Sequence, residues 1–148
     1  MRYHIVEVME NVEKWYRESP HYIDLRLLAL VHDTFKYAVD RERPKSGTDH
    51  HGYLAAEFLR GKLRGDLWSV TLFKVCELHD EWFNAYMAGS RDGKWAKAQR
   101  RAEKLYWMLK GCEGVGLYLA FIRCDNETGN KGQEGRKWFE KLLKQLGS

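Results

Sequence analysis

The sequence predicts an all-α protein that folds as a single-domain bundle of about six or seven helices. Three observations support this prediction. Proline occurs only twice in 148 residues, while Ala, Leu, Glu, Lys and Arg, which favour helix, are plentiful. Glycine, proline and short polar turns divide the chain into segments of helical length. Within these segments apolar residues recur at three- and four-residue spacings, the pattern of a helix that buries one face.

Two helices are predicted before the first long polar loop. Ser19 and Pro20 separate them, because serine fits an N-cap and proline fits the first helical position. The loop that follows the second helix is basic and contains Pro44 and Gly47. The predicted bounds are residues 3–18 for the first helix, 19 to about 37 or 40 for the second, and 41–48 for the loop.

Five further helices are predicted after this loop. Asp49 can cap the third helix and Asp66 the fourth, since a short acidic side chain accepts hydrogen bonds from the free N–H groups of a first turn. Gly89 lies beyond the predicted end of the fourth helix, and Gly111 closes the fifth. The predicted bounds are residues 49 to 61 or 65, 66–87, 92–110, 115–125 and 133–146.

The composition is that of a globular protein with one domain, residues 1–148. Apolar residues make up 44% and charged residues 31%. No apolar stretch approaches the roughly 18 residues that cross a bilayer, and the N-terminus lacks an apolar signal core, so a cytoplasmic location is expected. Three cysteines without a CxxC pair predict neither a disulfide framework nor a structural zinc knuckle. The net charge of +4 suits an anionic ligand and does not require nucleic acid.

Several ionisable side chains occupy positions where a helical pattern predicts burial. His32 shares a helix face with Leu28 and Phe35, and Asp33 follows it directly. Burying a carboxylate without a partner costs several kcal/mol, so such a set needs a common explanation. Neutral imidazole and carboxylate are ligands for divalent metal ions, which predicts a metal site. The set comprises His4, His32, Asp33, His51, His79 and Asp125.

Each member also has a simpler interpretation when it is taken alone. A single histidine on an apolar face is more often a hydrogen-bonded core residue than a ligand. Asp125 could cap a helix end, and Asp33 could pair with a lysine or arginine. Only the whole set favours the metal site over these separate interpretations.

Taken in order, these residues resemble the HD-domain superfamily of metal-dependent phosphohydrolases. The segment 28–36, Leu-Ala-Leu-Val-His-Asp-Thr-Phe-Lys, resembles the defining helix of that superfamily most closely. Three other segments are each similar to a further motif of the superfamily. They are the segment around His4, the segment His51 to Leu59 with its small pair Ala55-Ala56, and the segment Ile122 to Gly129. Together these segments span residues 2–131.

The resemblance implies a metal site and an activity. One ion would be held by His4, His32, Asp33 and Asp125, and a second by His51, His79 and the shared Asp33. The ion could be Mn, Fe, Zn, Ni, Co or Mg, and the adjacent His50 leaves open which histidine of that pair ligates. His79-Asp80 departs from the His-Thr or His-His pairs of some subfamilies, which leaves the substrate open.

The implied reaction is hydrolysis of a nucleotide-like or other small phosphate ester by a water that the metal activates. Asp33 and Lys36 are the predicted catalytic residues. Lys36 follows His32 by four positions and can contact phosphate, although a lysine in a last helical turn is also favoured by the helix dipole. Asn126 and Lys131, in the polar turn after Asp125, are predicted to bind substrate, with a simple Asn- and Gly-rich turn as the alternative.

Three other interpretations remain compatible with the sequence. A dinuclear iron site on the same helical scaffold could support oxygenase chemistry, and the metal site could belong to a catalytically silent binding protein. The basic segment 91–110 could make the chain a non-enzymatic nucleic-acid-binding module. Its interspersed apolar residues fit an ordinary amphipathic helix, so nucleic acid is not the expected partner. The expected partner is a small phosphorylated substrate, and a homo-oligomer is compatible with the sequence.

Overall fold

The computed structural model describes residues 2–36, 50–63 and 67–148. In these ranges the protein consists of eight helices and contains no strand, as the sequence predicts for an all-α bundle. Most helices pack against the next one in the chain, α1 with α2, α3 with α4 and α5 with α6. The helices are α1 (Arg2–Tyr16), α2 (Tyr22–Val31), α3 (His51–Lys62), α4 (Leu67–Glu77), α5 (Glu81–Ser90), α6 (Trp95–Gly111), α7 (Val115–Asn126) and α8 (Glu134–Gly147).

Helix α7 is the centre of the packing. It contacts α1, α2, α6 and α8, and its side chains form a large part of the core. A continuous cluster of buried apolar side chains runs from Val8 in α1 to Leu143 in α8, as expected for one domain. No helix in the described ranges combines the length and the apolar character needed to cross a membrane.

The fourth predicted helix, residues 66–87, is two helices in the structure. Helix α4 ends at Glu77 and α5 begins at Glu81, with Leu78, His79 and Asp80 in the turn between them. No glycine or proline marks this turn. Instead, the hydroxyl of Tyr118, 40 positions further along the chain, donates a hydrogen bond of 2.8 Å to the Leu78 carbonyl oxygen.

The end of α5 also differs from the prediction. The helix runs past Gly89 to Ser90, and the left-handed residue that follows it is Gly93, with a φ of 70°. Gly93 N–H and Lys94 N–H donate to the carbonyl oxygens of Gly89 and Ala88, which closes the helix end. Gly89 is needed for packing, because a Cβ there would lie 2.2 Å from Trp95 Cε3.

Two helix ends near the predicted site differ from the prediction, which extended the second helix to about residue 37 or 40 and began the third at Asp49. Helix α2 stops at Val31, so His32 and Asp33 lie in the turns just beyond it rather than within a helix. Helix α3 begins at His51, and His50 is its N-cap, with Nδ1 accepting a hydrogen bond of 3.0 Å from Gly52 N–H. The predicted cap Asp49 and the predicted basic loop 41–48 lie outside the described residues.

Candidate metal centre

The six predicted ligands all lie at or next to helix ends. His4 is in the first turn of α1, His51 begins α3, and Asp125 is in the last turn of α7. His32 and Asp33 follow α2, and His79 lies in the turn between α4 and α5. The ends of separate helices therefore bring these side chains to one place.

His4, His32 and Asp33 form the first group. One ligand atom from each lies within 4.8 Å of the others. Asp125 contacts the same group, since its Oδ1 is 2.8 Å from His4 Nε2 and 3.3 Å from His32 Nε2. The structure therefore brings together all four residues predicted to hold the first ion.

Asp33, His51 and His79 form the second group, again with ligand atoms within 4.8 Å of one another. The Nε2 atoms of His51 and His79 are 3.2 Å apart. Asp33 Oδ1 lies 3.3 Å from His51 Nε2 and 3.5 Å from His79 Nε2. These are the three residues that the sequence predicts for a second ion.

Asp33 links the two groups through its two carboxylate oxygens. Oδ1 faces His51 and His79, whereas Oδ2 lies 3.5 Å from His32 Nε2 and 3.9 Å from His4 Nε2. Its side chain is only 11% exposed. A carboxylate in this position could contact a cation on either side.

Three of the imidazoles are held by their Nδ1 atoms. His32 Nδ1 lies 2.9 Å from the Leu28 carbonyl oxygen, and His79 Nδ1 lies 2.7 Å from that of Cys76. Both nitrogens must donate, so in a neutral ring Nε2 carries the lone pair. The Thr128 hydroxyl donates to the Asp125 carbonyl oxygen and can therefore accept from His4 Nδ1, 3.3 Å away. Such contacts fix the tautomer and orientation of metal-binding histidines.

The inward-facing nitrogens provide a test of whether a cation fits. His32 Nε2 is buried and makes no hydrogen bond within the described part of the chain. In the neutral tautomer its lone pair faces the carboxylate oxygens of Asp33 and Asp125. Acceptor facing acceptor is unfavourable unless protons or a cation lie between them. Imidazole nitrogen and carboxylate oxygen suit a divalent transition-metal ion, so these residues fit one.

The carboxylates and imidazoles of the centre shift each other's pKa values. Burial alone would raise the pKa of Asp33 and Asp125, but the facing imidazoles hold both below their ordinary range. Burial likewise opposes protonation of His32 and His79, but the neighbouring carboxylates raise the pKa of both overall. The carboxylates therefore stay ionised, and their negative charge attracts cations to the centre.

Asp80 is a site residue to which the sequence prediction gave no role. It follows His79 as Asp33 follows His32, and this repeated His-Asp pair was a signal that could have identified it. His50, His51 and Asp80 also have ligand atoms within 4.8 Å of one another. His50 differs from His32, His51 and His79, because burial and the nearby His51 lower its pKa to about 4, whereas the pKa of each of the other three is raised.

The predicted substrate-binding residues lie close to the centre in different ways. Lys36 Nζ is 3.6 Å from Asp33 Oδ2, and its side chain is 56% exposed, so it can contact both the centre and a ligand. Lys131 Nζ donates to the Asp125 carbonyl oxygen at 3.2 Å. Asn126 is buried and its amide reaches across the loop to the Gly132 carbonyl oxygen at 3.4 Å, so its contact with substrate stays a prediction.

Further basic residues occur in the sequence in the predicted loop 41–48 and in the segment 91–110. Arg41, Arg43 and Lys45 are outside the described residues. On the basic segment 91–110, Arg101 forms hydrogen bonds of 2.9 and 3.0 Å with Glu81, and Arg91 pairs with Asp92. Part of the positive charge in this segment is therefore already neutralised.

Comparisons of the chain with models of known protein families, with curated proteins and with solved structures found no match. The resemblance to the HD-domain superfamily consequently rests on the sequence motifs alone. What the structure shows is an all-α protein with buried histidine and aspartate groups that could hold metal ions.

Proposed function

We propose that the protein is a metal-dependent phosphohydrolase of the HD-domain type that acts on a nucleotide-like or other small phosphate ester. The observation that carries the proposal is the position of Asp33 between two groups of imidazoles, one on each carboxylate oxygen. Two cations on a shared carboxylate are a common arrangement in enzymes that cleave phosphate esters.

Divalent ions at this centre would lower the pKa of a water molecule and offset negative charge on phosphoryl oxygens. The protein's part is to hold the ions and orient the ester. Asp33 is suited to bridging rather than to accepting a proton, because the surrounding imidazoles keep its pKa low. His4, His32 and Asp125 would hold one ion, and His51 and His79 the other.

Lys36 is the residue best placed to bind the ester. Its side chain is more than half exposed, and its ammonium group lies 3.6 Å from Asp33. At that position its positive charge could contact a phosphate bound at the centre. Lys36→Gln should therefore weaken substrate binding and turnover while the metal content stays unchanged, with the exposed Lys104→Gln as its matched control.

The proposal is tested by elemental analysis of the purified protein combined with a screen of phosphomonoesters and phosphodiesters. His32→Ala and Asp33→Asn should lose both metal and turnover, whereas His21→Gln and Asp92→Asn, away from the centre, should keep both. Circular dichroism melts of each variant show whether it has folded.

Each other outcome has a definite meaning. A folded Asp33→Asn variant with full metal content and activity would refute the bridging role. A redox-active iron pair without phosphate hydrolysis would replace the proposal with oxygenase chemistry. Bound metal without turnover on any ester would indicate a binding protein, and a protein that retains no divalent ion would refute the proposal altogether.

A further inference from the structure

We propose that Asp80 is a direct ligand of the second cation and that His50, the N-cap of α3, is not a ligand. The inference rests on the metal centre of the proposed function and extends it by one carboxylate. It assigns to the second ion four protein donors, from Asp33, His51, His79 and Asp80.

The first argument is the face of each imidazole that Asp80 contacts. Asp80 Oδ2 lies 3.1 Å from His51 Nε2, and Oδ1 lies 3.5 Å from His79 Nε2. These are the nitrogens that face Asp33. A carboxylate that only orients a metal-binding histidine contacts the other ring nitrogen. For His79 that other nitrogen, Nδ1, is already held by the Cys76 carbonyl oxygen. Asp80 therefore lies on the metal side of both rings.

The second argument is accessibility. The Asp80 side chain is 31% exposed, whereas those of His79, His51 and Asp33 are 0%, 10% and 11% exposed. Asp80 thus forms the solvent side of the second group. A carboxylate there completes the set of donors around a cation that the buried residues hold from within.

His50 is excluded as a ligand by its own hydrogen bond. Its Nδ1 accepts from Gly52 N–H at 3.0 Å, so in the neutral ring the proton is on Nε2. That nitrogen lies 3.9 Å from Asp80 Oδ2. With no lone pair available, His50 can direct its N–H towards Asp80 but cannot bind the ion. His51, whose Nε2 faces Asp33, is the ligand of the adjacent pair.

The donor set also predicts metal preference. A second carboxylate shifts the site towards Mn²⁺, because carboxylate oxygens suit Mn²⁺ and imidazole nitrogens suit Zn²⁺. Asp80→Asn keeps the shape of the side chain and removes its charge. We expect this variant to bind the second Mn²⁺ at least about tenfold more weakly. Its relative preference for Zn²⁺ should increase, and the first ion should be unaffected.

The experiment is a titration of the metal-free protein with MnCl₂ and with ZnSO₄, followed by Co²⁺ substitution. Removal of one ligand should change the intensity of the Co²⁺ visible absorption bands in Asp80→Asn but not in the exposed control Asp92→Asn. His50→Asn retains an N-cap acceptor, so it should keep both ions and an almost unchanged Co²⁺ spectrum, while His51→Asn should lose the second ion.

The outcomes separate this inference from the proposed function. If Asp80→Asn binds two Mn²⁺ ions with wild-type affinity and spectrum, Asp80 is not a ligand, although the phosphohydrolase proposal stands. If His50→Asn loses the second ion and His51→Asn does not, the assignment of the two histidines is reversed. A wild-type protein that binds one ion or none overturns the inference as well.

Discussion

The substitution Tyr118→Phe isolates the contact that shapes the turn carrying His79 and Asp80. Tyr118 is completely buried in α7. Its hydroxyl donates to the Leu78 carbonyl oxygen at 2.8 Å and accepts from Trp82 N–H at 3.2 Å, so it joins the end of α4 to the start of α5. Phenylalanine keeps the aromatic ring and its edge contact with Phe139, and removes only the hydroxyl.

The size of the effect follows from which groups lose a partner. The Leu78 carbonyl oxygen still accepts from Glu81 N–H at 3.0 Å. Trp82 N–H is in the first turn of α5, where no helix carbonyl is available, and it becomes unpaired next to the core. An unpaired buried donor costs about 1–3 kcal/mol of unfolding free energy. For a chain of this length the melting temperature should fall by about 3–10 °C.

Thermal and urea unfolding of the metal-free protein, followed by circular dichroism, measure this change. Tyr3→Phe is the control, because the Tyr3 side chain is 84% exposed and its hydroxyl is hydrated in both states. The second Mn²⁺ should also bind more weakly to the Tyr118→Phe variant than to the wild-type protein, since the turn holds His79. A variant that melts within 1 °C of wild type, about the scatter expected of a surface change, would refute this account of the turn.

Two further predictions concern the same region. Gly52→Ala would place a Cβ 2.6 Å from the Glu77 carbonyl oxygen, a backbone atom that cannot move cheaply, so stability should fall by about 1–3 kcal/mol in urea unfolding. Gly61→Ala in the same helix meets nothing within 4 Å and should be neutral or stabilising, and equal effects of the two would contradict the close approach of α3 to α4. Metal affinity should rise with pH, because the carboxylates raise the pKa of His51 and His79 above 6.5 despite burial, and the proton must leave before the metal binds. Chelator competition at pH 6 and pH 8 measures this, and equal affinity at both values would contradict the raised pKa of these histidines.

The buried ionisable residues were predictable because local periodicity reports burial. A histidine or aspartate that follows or precedes buried leucines by three or four positions on a helix must face the core, whatever its eventual partners. His32, with Leu28 four positions before it, illustrates this, since both are buried in the structure. Periodicity does not report which buried polar groups meet. The pairing of His4 with Asp125 joins residues 121 positions apart, and the resemblance to known motifs supplied it.

The break between α4 and α5 was not predictable from local sequence. Residues 66–87 contain neither proline nor an internal glycine, and the apolar spacing continues across the turn. The cause is tertiary, because Tyr118 takes the hydrogen-bonding groups that a continuous helix would use internally. Asp80, which the sequence prediction gave no role, lies in the turn that this break creates. On an uninterrupted helix it would point about 100° away from His79.

That geometry explains why both His-Asp pairs lie just beyond a helix end. Neighbouring side chains on a helix diverge, yet the His Nε2 and Asp oxygen are 3.5 Å apart in His32-Asp33 and again in His79-Asp80. In each pair the histidine Nδ1–H donates a hydrogen bond to a carbonyl oxygen three or four residues earlier, that of Leu28 or that of Cys76. Each of these carbonyl oxygens also accepts the backbone N–H of the same histidine, and its second lone pair fixes the imidazole ring. The turn that follows then brings the aspartate back towards the same centre. A histidine-aspartate pair within a continuous helix would keep the sequence motif but lose this convergence, so the helix end is part of the site.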